Sequence, residues 1–580
     1  MRSYAACVLA AAALAAALTA AEASPRQAFR ALDVLIENGI VIDGRGGEPR
    51  AADVGIADGR ILFVGDAAPG LAAHAARRID AAGRVVAPGF IDLHAHGDPL
   101  ATPAFENFLA MGVTTIALGQ DGASPRTRHL AEWLDNVDRA GPGPNVAMFV
   151  GHGTLRRLAG IGREPRPSAA QVARMSELLD DALAVAFGLS LGLEYEPGLH
   201  AGPGELAALA RVVGSRDRLV ASHLRNEDDG ALHASIAELL ALGEHARVHV
   251  SHLKSVYGRG AARADEILAL LQAARQSGIE VTADLYPYTA SYTGIAILFP
   301  AWAKTEEDFA RAKRERRDEL AGWLRTRVEQ RNGPGATLLG TRPWTGRTLA
   351  EVAFEREMAF EDLLIDVIGP NGASAAYFVM DEALQTRLLT DPFVAVASDG
   401  SPTAFHPRGY GSFARVIEHD VIGNGRLTLA EAVRKMTSLP AAILGLTDRG
   451  VLAAGMHADV VVFDPAAVRA PADYIAPHRL AKGFDVVLVN GSLVRVAGEF
   501  TGTRAGRVLF PALTRDAAAA PRPGGFPPQV PACGGGVQPG PRTTRPGVAP
   551  VCSPSSRTWT PFTNTASTPV AYCCGSSNVA

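Results

Sequence analysis

Ile91-Asp92-Leu93-His94-Ala95-His96 closes an apolar run that starts at Val85-Val86 and continues through Pro88-Gly89-Phe90. Along a strand, residues i and i+2 point to the same side, so the imidazoles of His94 and His96 converge on one point. Two more histidines close strand-like runs, in Ala221-Ser222-His223 and Val250-Ser251-His252, and Asp399 ends Phe393-Val394-Ala395-Val396-Ala397-Ser398. Four imidazoles and a carboxylate supply nitrogen and oxygen donors suited to zinc or a related divalent ion, as one ion or two. His129, His200, His233, His245 and His249 fall in helical or loop contexts and are read as structural.

The elements that must position these groups alternate. Between about 88 and 446, short apolar runs such as Val113–Leu118, Val146–Val150, Leu219–Ser222 and Val281–Asp284 are separated by amphipathic helical stretches such as 169–186 and 263–277. Strand–helix alternation on this scale predicts an α/β fold with a parallel sheet, and its length suits a TIM-like (β/α)8 barrel. In such a barrel the C-terminal strand ends carry the site, which is where the histidines and Asp399 fall. The regularity breaks at 300–347, where a charged helical stretch (306–331) reads as an inserted lid. Residues 24–87 and 447–512 carry β-branched runs with Asn38-Gly39, Asp58-Gly59 and Asn490-Gly491, a hairpin signal, and predict one small β-sandwich made from both chain ends.

Composition bounds the answer. The 580 residues are 47% hydrophobic and 20% charged with mean hydropathy +0.09, which excludes disordered, collagenous and multi-pass membrane proteins. A net charge of -4 recommends neither nucleic acid nor an anionic membrane as partner. Arg2, the Ala-rich run 4–18 and Ala21-Glu22-Ala23 describe a signal peptide, 1–23, cleaved after Ala23. A periplasmic or secreted protein, free of the membrane once the signal is removed, is the expectation. The cysteines are Cys7, Cys533, Cys552, Cys573 and Cys574, so the body can form neither a thiolate zinc site nor a disulfide. Residues 513–580 are rich in Pro, Gly, Ser and Thr and read as a low-complexity tail, expected to be disordered and assigned no function.

The chain resembles the N-acyl-D-amino-acid deacylases (D-aminoacylases) of the amidohydrolase superfamily. The likeness rests on Pro88-Gly89-Phe90-Ile91-Asp92-Leu93-His94-Ala95-His96, Val150-Gly151-His152-Gly153, Gly192-Leu193-Glu194-Tyr195-Glu196-Pro197-Gly198, Ser222-His223-Leu224-Arg225-Asn226-Glu227, Ser251-His252-Leu253-Lys254, Asp284-Leu285-Tyr286-Pro287-Tyr288, Ser398-Asp399-Gly400 and His406-Pro407-Arg408-Gly409-Tyr410-Gly411, in this order from about 32 to 511. The resemblance implies that His94, His96, His223 and His252 hold zinc and that Asp399 is the general acid/base of amide hydrolysis by a metal-activated water. It also implies that Tyr195, Lys254 and Arg408 bind an N-acyl amino acid substrate, and that the hand of the substrate is D.

One position departs from that family's pattern. Where the deacylases carry Gly-Asn-Cys-Gly, with the thiolate as a metal ligand, this chain has Gly119-Gln120-Asp121-Gly122. Asp121 is expected to replace the thiolate with a harder oxygen donor, which bears on metal preference and ion count. Two other readings stand beside the deacylase: a related amidohydrolase acting on a dipeptide or cyclic amide, and a catalytically silent exported binding protein.

Overall fold

The computed structural model describes residues 31–512; the expected signal peptide and the tail lie outside the described residues. The chain opens with five strands, β1 (Val34–Val41), β2 (Arg50–Ala57), β3 (Arg60–Gly65), β4 (Arg77–Asp80) and β5 (Val85–Pro88). Asp58-Gly59 forms the two-residue turn between β2 and β3, with φ of 50° and 72° as a type I′ hairpin requires. Asn38-Gly39 is not a turn. It lies inside β1 as a register shift against β2, and a Cβ on Gly39 would meet Val86 Cγ2 at 2.4 Å, so glycine there admits close packing.

Eight parallel staves follow. They are β6 (Phe90–Asp92), β7 (Val113–Leu118), β8 (Asn145–Met148) with its continuation β9 (Val150–Gly151), β10 (Gly188–Gly192), β11 (Leu219–His223), β12 (Arg247–Val250), β13 (Val281–Leu285) and, after an excursion, the last stave. The excursion holds β14 (Ser291–Gly294), β15 (Thr337–Leu339), β16 (Arg347–Thr348) and β17 (Ser374–Tyr377), an antiparallel sheet in the order β14-β17-β15-β16. The eighth stave is β18 (Val394–Val396), hydrogen-bonded to β13. It returns to the first stave through the parallel bridge Ala95–Gly400, with Asp399 N donating to His94 O and His96 N to Gly400 O, both at 2.8 Å. That closes the barrel.

Inside, Ala117, Ala147, Ala221 and Ala395 form a small-residue layer with Ile91, Phe149 and Phe187, and Leu439 and Leu444 pack against it. Outside, helices such as Pro203–Ser215, Asp229–Leu242 and Gly260–Gln276 cover the staves with one apolar face each. The excursion has a separate core of Ile295, Leu298, Leu320, Leu324, Val352, Leu363 and Tyr377. It spans Ser291–Tyr377, wider than 300–347, because its flanking strands are short and mixed in polarity, Ser-Tyr-Thr-Gly in β14 and Ser-Ala-Ala-Tyr in β17, and no pattern sets them apart from the surrounding loops. The charged stretch 306–331 is two helices, Glu306–Glu315 and Arg317–Gln330, broken at Arg316.

Four strands finish the described chain: β19 (Val460–Phe463), β20 (Phe484–Val489), β21 (Ser492–Val496) and β22 (Glu499–Phe500). Asn490-Gly491 makes the β20–β21 turn, with φ of 49° and 81°. Since β19 pairs with β5, both chain ends join one hydrogen-bonded sheet of nine strands. Val34, Ile36, Val54 and Ile56 from one end share a core with Val460, Val462, Val486 and Leu488 from the other. The alternate residues Val461, Phe463, Val487 and Val489 face the barrel, so β19 and β20 are apolar on both sides. Among the described residues, no helix is long and apolar enough to cross a membrane.

Candidate active site

All five donor groups read at the strand ends meet at the C-terminal mouth of the barrel. His94 and His96 extend β6, His223 ends β11, His252 follows β12, and Asp399 follows β18. Asp121 follows β7 and is the pivot among them. Its Oδ1 lies 3.3 Å from His94 Nε2, 3.2 Å from His252 Nε2 and 3.8 Å from His223 Nδ1, and its Oδ2 lies 3.4 Å from His96 Nε2. Asp399 Oδ1 stands 3.1 Å from His96 Nε2 and 3.7 Å from His94 Nε2. Two metal-competent groups result, His94–His96–Asp121–Asp399 and Asp121–His223–His252, sharing one carboxylate; Glu194, His223 and Glu227 form a third.

The loop that delivers Asp121 is fixed by its neighbours. Gln120 Nε2 donates to Leu93 O at 2.8 Å, and Gly122 N donates to Ser190 Oγ at 3.2 Å. Gly119 has φ 82°, and a Cβ there would meet Phe149 O at 2.2 Å. Asp121, His252 and Asp399 all adopt left-handed backbone, with φ of 53°, 36° and 48°.

The donor set fits a divalent cation. His94 is fully buried, and neither of its ring nitrogens has a hydrogen-bond partner. Buried polar atoms are seldom left unpaired, and an ion between His94 and Asp121 would supply the missing partner. Charge points the same way. Burial opposes protonation of His96 and His252, and Lys254 opposes it at His252, yet Asp121 and Asp399 raise the two imidazoles to about 9 and about 10. That marks a negative potential suited to a cation. At His94 burial prevails and lowers the imidazole, favouring the neutral ligand form.

A second layer holds the ligands. Asp92 Oδ1 accepts from His94 N at 3.1 Å and Ser398 N at 3.0 Å, tying the first stave to the last. Asp284 accepts from His252 N at 2.6 Å while its other oxygen lies 2.8 Å from His249 Nε2. His249 therefore sits on a strand, β12, and not in a helix or loop; with Val248 and Val250 on the opposite face, alternation sends it inward.

Beside the cluster is a narrow cavity of about 20 Å³. It is lined by the three expected substrate-binding residues, Tyr195, Lys254 and Arg408, together with Tyr286, Tyr292 and Asp399. Lys254 Nζ donates to Glu227 Oε1 at 2.7 Å and lies 2.8 Å from His252 Nδ1. Arg408 Nη1 meets Asp399 Oδ2 at 2.6 Å, and its guanidinium lies 4.9 Å from the Tyr286 ring centroid. Burial would raise the Asp399 carboxyl, but Arg408 and His252 hold it well below the usual carboxylate range. The Tyr195 ring lies 4.5 Å from that of His223, tilted by 50°. On the other side of His96 a wider cavity, about 540 Å³, is lined by Leu118, Gln120, Trp133 and Met148.

A sequence model of the amidohydrolase family matches residues 280–495. Over 490 residues the chain is 37% identical to an N-acyl-D-glutamate deacylase of Alcaligenes xylosoxydans xylosoxydans, covering 80% of this chain and 93% of the relative. The chain belongs to the D-aminoacylase family of amidohydrolases. A D-aminoacylase of the same organism is 34% identical over 510 residues, covering 82% of this chain and 97% of the relative. The crystal structure of N-acyl-D-glutamate deacylase from Bordetella bronchiseptica, complexed with zinc and a phosphonate inhibitor, superposes with TM-score 0.71 at 35% identity, covering 83% of this chain and all of that one. This family member is a hydrolase with the TIM-like barrel of its relatives.

Several residues that shape this site escape strand-end reasoning. Glu227, Tyr292 and Arg331 come from a loop and the excursion, where no periodic pattern marks them, while Glu194 sits two residues past β10. Tyr286 could have been found, because it follows β13 directly and repeats the strand-end position of the histidines.

Proposed function

We propose that the enzyme hydrolyses the amide bond of N-acyl-D-amino acids, releasing a D-amino acid and a carboxylate. Asp121, shared between two histidine pairs at the barrel mouth and facing Asp399, is the observation that carries the reading. His94, His96, His223, His252 and Asp121 would hold zinc, as one ion or two. Zinc there supplies Lewis acidity toward the amide carbonyl and makes water more acidic. Asp399, kept ionised by Arg408, takes the proton of the attacking water and returns it to the departing nitrogen. An amide nitrogen leaves poorly without that second transfer. Arg408 and Lys254 orient the substrate's α-carboxylate, Arg408 with a planar fork that also steadies Asp399. Fixing carboxylate, carbonyl and side chain at three points gives the site its handedness.

The test is enantiomer-resolved release of free amino acid from a racemic N-acetyl amino acid panel by zinc-supplemented protein. Release of D-amino acids alone is expected; release of L-amino acids, or of none, would overturn the reading. We further propose that the protein is exported, a reading supported by the order of basic, apolar and Ala-x-Ala residues in 2–23. N-terminal sequencing of protein from the periplasm or medium should begin at Ser24, and an uncleaved cytosolic chain would refute it.

A further inference from the structure

The donor cluster borders two cavities. Toward the narrow one it presents His223, His252 and Asp399; toward the wider one, of about 540 Å³, it presents His96. His96 is also the most accessible of the four histidines, with 33% of its side chain exposed against 1%, 4% and 1% for His94, His223 and His252. Beyond His96 the wider cavity is walled by Leu118 from β7, Met148 from β8 and Trp133 from the helix Leu130–Ala140, with Pro99 and Pro125 beside them. Several of its polar side chains are spent on the chain's own backbone. Asp98 Oδ1 accepts from Leu100 N at 2.9 Å, Ser124 Oγ from Gly151 N at 2.9 Å and Thr127 Oγ1 from His129 N at 3.0 Å. Ser124 N in turn donates to Thr154 Oγ1 at 3.0 Å, so the wall is built before any ligand arrives.

We propose that the wider cavity receives the acyl chain of the substrate, and that the enzyme favours N-acyl groups with an extended aliphatic chain. The inference rests on the deacylase reading above and concerns the other side of the scissile bond. A secondary amide is planar and trans, so its two substituents run in opposite directions. With the α-carboxylate at Arg408 and Lys254 and the carbonyl at the cluster, the acyl chain is directed away from the narrow cavity. His96 stands on that side, 3.1 Å from Asp399 and on the wall of the wider cavity. Volume sets the class of chain. An apolar cavity of ~150 Å³ holds a benzene ring, so one of about 540 Å³ has room for a chain of about ten carbons. Leucine, tryptophan and above all methionine suit such a chain, because an adaptable thioether packs against many conformations of a flexible ligand.

The experiment takes the D-amino acid that the zinc-loaded enzyme releases fastest from its N-acetyl derivative and compares kcat/KM for the N-acetyl, N-butanoyl, N-octanoyl and N-succinyl forms, below micelle-forming concentrations. A fully buried CH₂ is worth about fourfold. Because Gly97, Ala123 and Arg126 leave the cavity edge exposed, octanoyl should exceed acetyl by about 10- to 100-fold in total, with butanoyl between. Ala123→Trp places a large side chain in the cavity from an exposed position. It should erase the octanoyl advantage while N-acetyl turnover stays within about 3-fold of the parent. In the unaltered enzyme, octanoate should inhibit more strongly than acetate, a measurement that needs no variant to fold. A flat or falling series with chain length, succinyl exceeding octanoyl (which would assign the cavity to Arg126 and a charged acyl end), equal inhibition by the two carboxylates, or an equal loss on all acyl forms in Ala123→Trp would overturn the proposal and leave the deacylase reading intact. No turnover of any N-acyl-D-amino acid would instead remove the reading on which it rests.

Discussion

Arg408 and Asp399 face one another across 2.6 Å, each with only 6–7% of its side chain exposed, although one follows the last barrel strand and the other opens a helix. The pair holds the carboxylate ionised against burial, which by itself raises the carboxyl. It also means that a substrate carboxylate reaching Arg408 shares that guanidinium with the proton-transferring group.

Asp399→Asn removes the proton acceptor and preserves shape. Turnover is expected to fall by about 10²- to 10⁴-fold, while metal content measured by atomic emission stays close to that of the parent. Unaltered turnover would take Asp399 out of the mechanism.

Asp121 faces all four metal-competent histidines. Asp121→Ala should lower bound zinc per chain, and chelation of the parent enzyme should abolish activity and lower Tm, both restored by added zinc. At a zinc concentration 100-fold above Kd, the linked stabilisation is about 2.7 kcal/mol. An apo protein that melts at the same temperature as the zinc-loaded form would contradict this role.

The buried pair Lys254–Glu227 should behave as a unit. Lys254→Met and Glu227→Gln each leave part of a charge network unanswered, at a cost of roughly 3 kcal/mol in zinc-loaded protein. The double variant should lose less than the sum, by about 1–3 kcal/mol in chemical denaturation. Strict additivity would show that the two do not stabilise each other.

Lys435 gives the fold a pH signature remote from the chemistry. It is fully buried, its Nζ donates to Val394 O at 2.6 Å and to Asp391 O, and burial lowers it to about 7. Its unfolded value is near ~10.4. Between about pH 7 and 10 the unfolded chain binds a proton that the folded chain has released, so the unfolding free energy rises with pH. The slope is at most about 1.4 kcal/mol per unit. Denaturation at pH 7 and 9.5 should show the parent gaining stability relative to Lys435→Met; parallel curves would assign Lys435 an ordinary ammonium.

The sequence announces the barrel and the metal-competent histidines because both obey strict rules. Hydrophobic runs at regular intervals define the staves, and period-two geometry aims His94 with His96 from one strand end. Asp58-Gly59 and Asn490-Gly491 turn as their φ values require, whereas Asn38-Gly39 shows that the same dipeptide also serves a bulge. The excursion's limits are hidden because Ser291–Gly294 and Ser374–Tyr377 are too short and too polar to read as strands at all. Asp284 and His249 look like stray polar residues until neighbouring strands join His249 to Asp284 and Asp284 to the backbone of His252. Glu227 and Arg331 depend on tertiary packing that no local pattern encodes.

The left-handed backbone at Asp121, His252 and Asp399 restricts what drift can try at these positions. Side chains branched at Cβ are excluded there by their own backbone before any question of chemistry arises, whereas Asp, Asn, His and Gly enter this region with least strain. The residues that enter this region with least strain are thus mostly metal ligands, their isosteres and glycine. The metal centre should therefore exchange its ligands by single steps among these few low-strain residue types rather than by gradual repacking.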